Sequence, residues 1–164
     1  MKKSNLLKKI ENPCCDIKEK NFNISQNEFA YFSSSNILKT DDKIKNIIFN
    51  DIPILTDIFD YNDNYIKVKK SGWFYIQYII NIPINKKIST ILSINIDEYE
   101  IEGSIININT KNKTTLNNTK SYSTQTVLKI KENSNIFLKS SNNINIKAYK
   151  EFINTSSIFI LKIL

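Results

Sequence analysis

Ser71-Gly72-Trp73-Phe74-Tyr75-Ile76-Gln77-Tyr78-Ile79-Ile80-Asn81-Ile82 decides the fold. From Trp73 onward its even positions are Phe, Ile, Tyr, Ile and Ile, and its odd positions are Trp, Tyr, Gln, Ile and Asn. Strand residues alternate sides with a period of two, so this segment carries two largely apolar faces. One face suits a core. The other suits a second layer of the same chain or a neighbouring subunit.

Two further segments repeat the pattern. In Ser123-Thr124-Gln125-Thr126-Val127-Leu128-Lys129-Ile130-Lys131, Leu128 and Ile130 point one way while Ser123, Gln125 and Val127 point the other. In Ile158-Phe159-Ile160-Leu161-Lys162-Ile163-Leu164, Phe159, Leu161 and Ile163 share one face, and Ile158 and Ile160 lie opposite with Lys162 at the rim. Apolar residues on both faces of three separate strands exceed what one small sandwich hides within itself.

The rest of the chain agrees with an all-β reading. At 164 residues it is one domain with room for a real core. Ile, Tyr and Phe are abundant, which favours strands. With only Gly72 and Gly103 as glycines, most turns fall to Asn, Asp and Ser, as in Asn62-Asp63-Asn64, Asn133-Ser134-Asn135 and Ser141-Asn142-Asn143. The alternation predicts strands at 28–33, 44–50, 65–69, 73–82, 88–96, 99–108, 122–131, 135–140, 144–149 and 156–164. Short antiparallel strands in this number, with no helix among them, describe a sandwich or barrel. Residues 109–121, rich in Thr, Asn and Lys, read as the longest polar loop.

Residues 1–24 read as a connector arm and residues 25–164 as the body. Leu6, Leu7 and Ile10 make at most two turns of amphipathic helix before Asn12-Pro13 stops it, too little to stand alone. The formal charge of +7 raises nucleic acid as a partner. The lysines of the arm, however, are interrupted by Glu11, Asp16 and Glu19, and the others are scattered, so no nucleic-acid partner is expected. No membrane insertion is expected either: Leu6-Leu7 is broken at once by Lys8-Lys9, and 73–84 is too short for a spanning helix.

Catalysis finds little support. The chain has no histidine, which removes the usual general base near neutral pH. Glu98, Glu100 and Glu102 alternate with Tyr99 and Ile101, the pattern of a strand showing its acids to water. Asp57, Asp60 and Asp63 lie near a turn, yet without the closely spaced acidic loop of calcium motifs. No catalytic residue, metal site or cofactor is expected.

Cys14-Cys15 is the sharper signal. Adjacent cysteines make a strained bridge, and the chain has no third cysteine. A zinc site within one chain is excluded, since structural zinc takes four such ligands. The pair is therefore either two reduced thiols in a tail or two anchors for intermolecular disulfides, which persist only under oxidising conditions. The position of the pair, in a short arm ahead of a domain with unpartnered faces, favours the anchors.

The order Ser71-Gly72-Trp73-Phe74-Tyr75-Ile76-Gln77-Tyr78, then Thr126 to Leu138 (TVLKIKENSNIFL), then Ser156-Ser157-Ile158-Phe159-Ile160-Leu161, resembles the tumour-necrosis-factor-like jelly roll. That superfamily includes the complement globular head and the C-terminal domain of exosporium glycoproteins of the BclA type. The resemblance runs from Glu28 to Leu164, with Asn133-Ser134 standing where the family has Gly-Asp. It implies a homotrimer in which Tyr75, Gln77, Ser123, Gln125, Val127, Ile158 and Ile160 meet neighbouring subunits. The Cys-bearing arm resembles that of pilus-like appendage subunits on bacterial endospores, and no collagen-like stalk is present. The expected protein is a structural, self-assembling component of a spore surface, appendage or exosporium filament, extracellular without a classical signal peptide. Its expected partners are itself, other spore-surface proteins or a glycan. The alternative is a trimeric head that binds a receptor or carbohydrate, since fold does not fix function.

Overall fold

The computed structural model describes residues 28–62, 65–110, 118–148 and 154–164. In chain order the strands are β1 (Phe29–Ser35), β2 (Ile37–Thr40), β3 (Ile47–Ile48), β4 (Ile54–Leu55), β5 (Phe59–Asn62), β6 (Tyr65–Val68) and β7 (Gly72–Pro83). After them come β8 (Ile88–Ile96), β9 (Tyr99–Glu100), β10 (Ile106–Thr110), β11 (Thr119–Ile130), β12 (Asn135–Ser140), β13 (Asn145–Lys147) and β14 (Asn154–Lys162). The only helical piece among the described residues is one 3-10 turn, Glu102–Ser104.

Two antiparallel sheets face each other. One has the order β11-β7-β14-β1-β4; the other runs β10-β8-β12-β6-β5, with β9 paired to β8. A small sheet, β13-β2-β3, closes one end. The even residues of β7 enter the space between the large sheets: Phe74, Ile76, Tyr78, Ile80 and Ile82 are all fully buried, against Leu92 and Ile94 of β8 and Leu138 of β12. Each such side chain contributes about 1.5–3 kcal/mol when taken out of water. Phe32 packs on Tyr61 and Phe49 at ring separations of 4.8 and 6.1 Å, and Phe59 meets Phe74 edge-on at 6.1 Å.

Tyr78 ties the layers together through its polar tip. Its hydroxyl donates to the Ser104 carbonyl at 2.8 Å, with the Leu92 carbonyl at 3.2 Å. Burial pushes this hydroxyl well above its ordinary pKa, so it stays a donor. Ser104 in turn accepts the Ile94 N–H at 2.8 Å and donates to the Ile101 carbonyl at 2.6 Å. These bonds break the expected 99–108 strand into β9, the 3-10 turn and β10. Glu98, Glu100 and Glu102 thus do not share one strand face, although all three are exposed.

The glycine-poor turns behave as the composition requires. Left-handed backbone occurs at Asn36 (φ 69°), Asp97 (φ 54°), Asn133 (φ 67°) and Lys45 (φ 58°), and three of these are Asn or Asp. Neither glycine has a positive φ. Gly72 serves close approach instead: the Trp73 N–H donates to the Leu164 carbonyl at 2.8 Å, and this draws the end of the chain across Gly72. Beyond the expected strands, the structure adds β2, β4 and β5, which are too short to show alternation, and it trims 44–50 to two residues. Residues 1–27, and with them the arm and Cys14-Cys15, lie outside the described residues, as do Asp63 and most of the expected 109–121 loop.

A Cβ on Gly72 would collide with the Leu164 carbonyl oxygen and lie 2.6 Å from Lys162 Cε. Gly72→Ala is therefore expected to cost about 1–3 kcal/mol, as overpacking against backbone does. Gly103→Ala meets nothing closer than 3.8 Å and is expected to leave the midpoint of thermal or urea unfolding nearly unchanged.

Candidate functional site

The outward face of the five-stranded sheet follows from register alone. Gln125 of β11 lies opposite Gln77 of β7, which lies opposite Phe159 of β14, then Tyr31 of β1 and Ile54 of β4. The next row is Val127, Tyr75, Leu161 and Phe29. A third row in the other direction is Ser123, Ile79, Ser157 and Ser33. Because side chains alternate, every member of these rows stands on the side away from the core.

The face is apolar in its middle and at one end. Trp73 is 43% exposed, Val127 52% and Ile54 60%, while Tyr75, Phe159, Leu161, Phe29 and Tyr31 are half-buried. Phe29 and Phe159 stack tilted at 6.4 Å, and the Tyr75 hydroxyl donates to Gln125 Oε1 at 2.8 Å. Toward the other end the face becomes a hydrogen-bonded polar band. Ser121 Oγ donates to Asn81 Oδ1 at 2.6 Å, Asn81 Nδ2 to the Asn154 carbonyl at 2.7 Å, and Asn154 Nδ2 to the Tyr31 hydroxyl at 3.0 Å. Asp51 closes the band, accepting from Ser33 Oγ at 2.7 Å and Ser35 Oγ at 2.9 Å. Partial burial works to raise the Asp51 pKa, and the Ser33 and Ser35 hydrogen bonds outweigh it, leaving the carboxyl below its ordinary range.

At the apolar end an ion cluster pins the start of β1 to the end of β14. Lys162 Nζ lies 2.9 Å from Glu28 Oε2, and Lys70 Nζ lies 3.2 Å from Glu28 Oε1. The Lys162 hydrogen bond first, aided by Lys70, holds the Glu28 carboxyl below its ordinary range against the cost of burial.

The structure brings Tyr75, Gln77, Ser123, Gln125 and Val127 onto this one face. It corrects the placement of Ile158 and Ile160. Both are 0% exposed in the core between the sheets, in register with Tyr78 and Ile76, and neither has surface to offer a neighbour. β14 is apolar on both sides, so its period alone could not choose the inner one; hydrogen bonding between β7 and β1 chose it. The residues that take their place are Phe159 and Leu161, with Phe29, Tyr31 and Ile54 on the far side.

Of the acidic trio, Asp60 is ion-paired with Lys69 at 3.0 Å. Among the described residues no three His, Cys, Asp or Glu side chains converge as metal ligands. No helix among them is long and apolar enough to cross a membrane.

No protein-family model matches this sequence, and no curated protein is detectably similar to it. Solved structures do match. Murine APRIL aligns with a TM-score of 0.57 at 8% identity, over 84% of this chain and 100% of that one. Eiger TNF from S. frugiperda aligns with a TM-score of 0.56 at 10% identity, over 84% of this chain and 93% of that one. The fold is a tumour-necrosis-factor-like jelly roll. At these identities the likeness is one of backbone architecture, and the outer face of the jelly roll must be read from its own residues.

Ile160→Ala is expected to destabilise the fold by about 2–5 kcal/mol, the range for a fully buried large aliphatic. Phe159→Ser, one residue away on the outer side, is expected to cost the isolated chain less than half as much. Urea unfolding of both variants at low protein concentration makes the comparison, and equal losses would contradict this facing of β14.

Proposed function

We propose that this chain is a structural protein whose partner is itself: a homotrimer closed by the outer face of its five-stranded sheet, and joined to further trimers through the Cys-bearing arm. The observation that carries this reading is the apolar part of that face, Trp73, Tyr75, Val127, Phe159, Leu161, Phe29 and Ile54 on adjacent strands. A continuous apolar patch on a sheet face marks an interaction surface, and burying it stabilises association at about 25 cal/mol per Å². The contact joins unlike parts of the face around a rotation axis, so it closes into a ring, here of three. Gln77, Gln125 and Ser123 stand among the apolar residues as polar groups that satisfy one another across subunits and set the register of packing.

The arm supplies the link between trimers. Both cysteines of the chain are Cys14 and Cys15, so residues 25–164 hold no thiol. Every disulfide that leaves the arm therefore ends on another arm or on another protein, never on the body of a neighbour. Covalent links of this kind persist only where conditions are oxidising. The setting that fits both features is the outside of a bacterial spore, with the chain as an exosporium or appendage filament subunit. Other spore-surface proteins or a glycan are its further contacts there.

Two experiments test this. Light scattering on the purified chain under reducing conditions and at high ionic strength is expected to give the mass of three subunits. Val127→Glu or Phe159→Glu is expected to give folded monomers with an unchanged circular dichroism spectrum, whereas Ile105→Glu, on the other sheet's side, is expected to leave the trimer intact. A wild-type monomer at micromolar concentration would sink the interface. For the arm, non-reducing denaturing gels of the oxidised protein are expected to show a ladder extending beyond three chains that collapses with reductant and is absent from Cys14→Ser/Cys15→Ser. A discrete trimer with both thiols titratable would instead favour a receptor- or carbohydrate-binding head.

A further inference from the structure

β8 runs between two features at opposite ends of the jelly roll. Nine residues of strand separate them by about 30 Å. At its far end Asp97 and Glu98 turn the chain into β9, and hydrogen bonds to β12 hold the turn. Asp97 adopts φ 54°, its N–H donates to the Asn135 carbonyl at 2.8 Å, and its Oδ1 accepts the Asn135 N–H at 2.8 Å. Glu100 is held by Ser93 Oγ at 2.7 Å. The turn presents Tyr99, 77% exposed, between the exposed carboxylates of Glu98 and Glu100. An aromatic ring held out on a fixed backbone loses little entropy when it is buried by a partner.

At the near end of β8, where the β7–β8 turn meets β13, lie two adjoining clefts of about 550 and 330 Å³ that share Asn145 and Ile146. Pro83, Ile146 and Ala148 give the larger one apolar walls, and Lys86 and Lys147 stand at its sides; Lys87 lines the smaller one. These three lysines have no side-chain ion pair or hydrogen bond among the described residues. At the other end of the molecule Lys69, Lys70 and Lys162 are ion-paired with Asp60 and Glu28, while Lys67, Lys129 and Lys131 have no ion pair among the described residues. The groove thus carries three lysines beside apolar walls, and two exposed acidic residues flank an exposed aromatic ring at the opposite end of the same strand.

We infer that the Glu98-Tyr99-Glu100 tip of one copy docks in the Lys86–Lys147 groove of a second copy. The Tyr99 ring would enter between Pro83 and Ile146, and the two carboxylates would meet the lysines at the rim. The two surfaces are different and lie at opposite ends, so the contact is heterologous and does not close; it stacks copies end to end. This inference deepens the self-assembly proposed above and rests on it for its setting, since it supplies the body-to-body contact that the arms would then lock.

The test uses the full-length protein with reductant present, so that only non-covalent contacts count. Sedimentation velocity and electron microscopy are expected to show end-to-end stacks at low salt that disperse as ionic strength rises and screening shortens. Glu98→Lys, Tyr99→Ser and Lys86→Glu/Lys147→Glu are each expected to weaken stacking about tenfold or more while leaving the trimer mass and the melting temperature unchanged. An equimolar mixture of a Glu98→Lys/Glu100→Lys protein and the Lys86→Glu/Lys147→Glu protein is expected to restore stacks, because each tip then finds a groove of opposite charge. Stacks that survive the charge reversals, or a mixture that fails to reassemble, would overturn the contact. Wild-type protein that stays a discrete trimer would overturn it and leave the trimer standing, whereas monomers forming chains that depend on Glu98 would do the reverse. Poly-glutamate that binds wild type but not Lys86→Glu/Lys147→Glu, in the absence of stacks, would assign the groove to an acidic ligand from elsewhere and not to a second copy.

Discussion

β7 can bury only one of its two apolar faces within its own chain. Phe74, Ile76, Tyr78, Ile80 and Ile82 take the inner side, and the packing of both sheets follows from that choice. Once β7 is oriented, antiparallel pairing orients β11 on one side and β14 on the other, and β14 orients β1. A slip of one residue in any of these ladders would turn a whole strand inside out. Trp73, Tyr75 and Ile79 are consequently left outside, in line with Val127, Phe159, Leu161 and Phe29. The exposed face is therefore the necessary complement of the core, produced by the same register.

The polar groups divide along the same axes. Across the core, Tyr78 and Ser104 join the two sheets with bonds that water cannot reach, which fixes how the layers sit on each other. Along the outer face, the Asp51, Asn81 and Asn154 band gives one end a different character from the aromatic end. A face graded in this way presents different chemistry at its two ends. The ends of the sandwich differ as well, with the Glu28 ion cluster near Gly72 and the lysine-flanked groove beside Pro83.

Much of the fold was legible because alternation is a backbone property that strands of six or more residues display directly. β7, β8, β11, β12 and β14 all lie where the pattern puts them. The short strands β2, β4 and β5 were not legible, since two to four residues carry no period and owe their conformation to a neighbouring ladder. The expected 99–108 strand failed for another reason: the hydrogen bonds of Ser104 to Ile94 and Ile101, which depend on β8, replace a ladder that the local sequence alone would allow.

The candidate face divides in the same way. Where one side of a strand is polar enough to be rejected from a core, the residues alone settle which way it points; Ser123, Gln125 and Lys129 could only face out, and with them came Gln77 and Tyr75. Where both sides are equally apolar, as in Ile158-Phe159-Ile160-Leu161, the choice waits for the strand's neighbours. The hydrophobic effect is non-directional and does not distinguish Ile160 from Leu161. Hydrogen-bond register with β7 does, and it placed Ile160 within the core and Leu161 on the outside. The meeting of Pro83, Lys86 and Lys147 in one groove likewise has no trace in the sequence, because it depends on β13 folding back beside the β7–β8 turn.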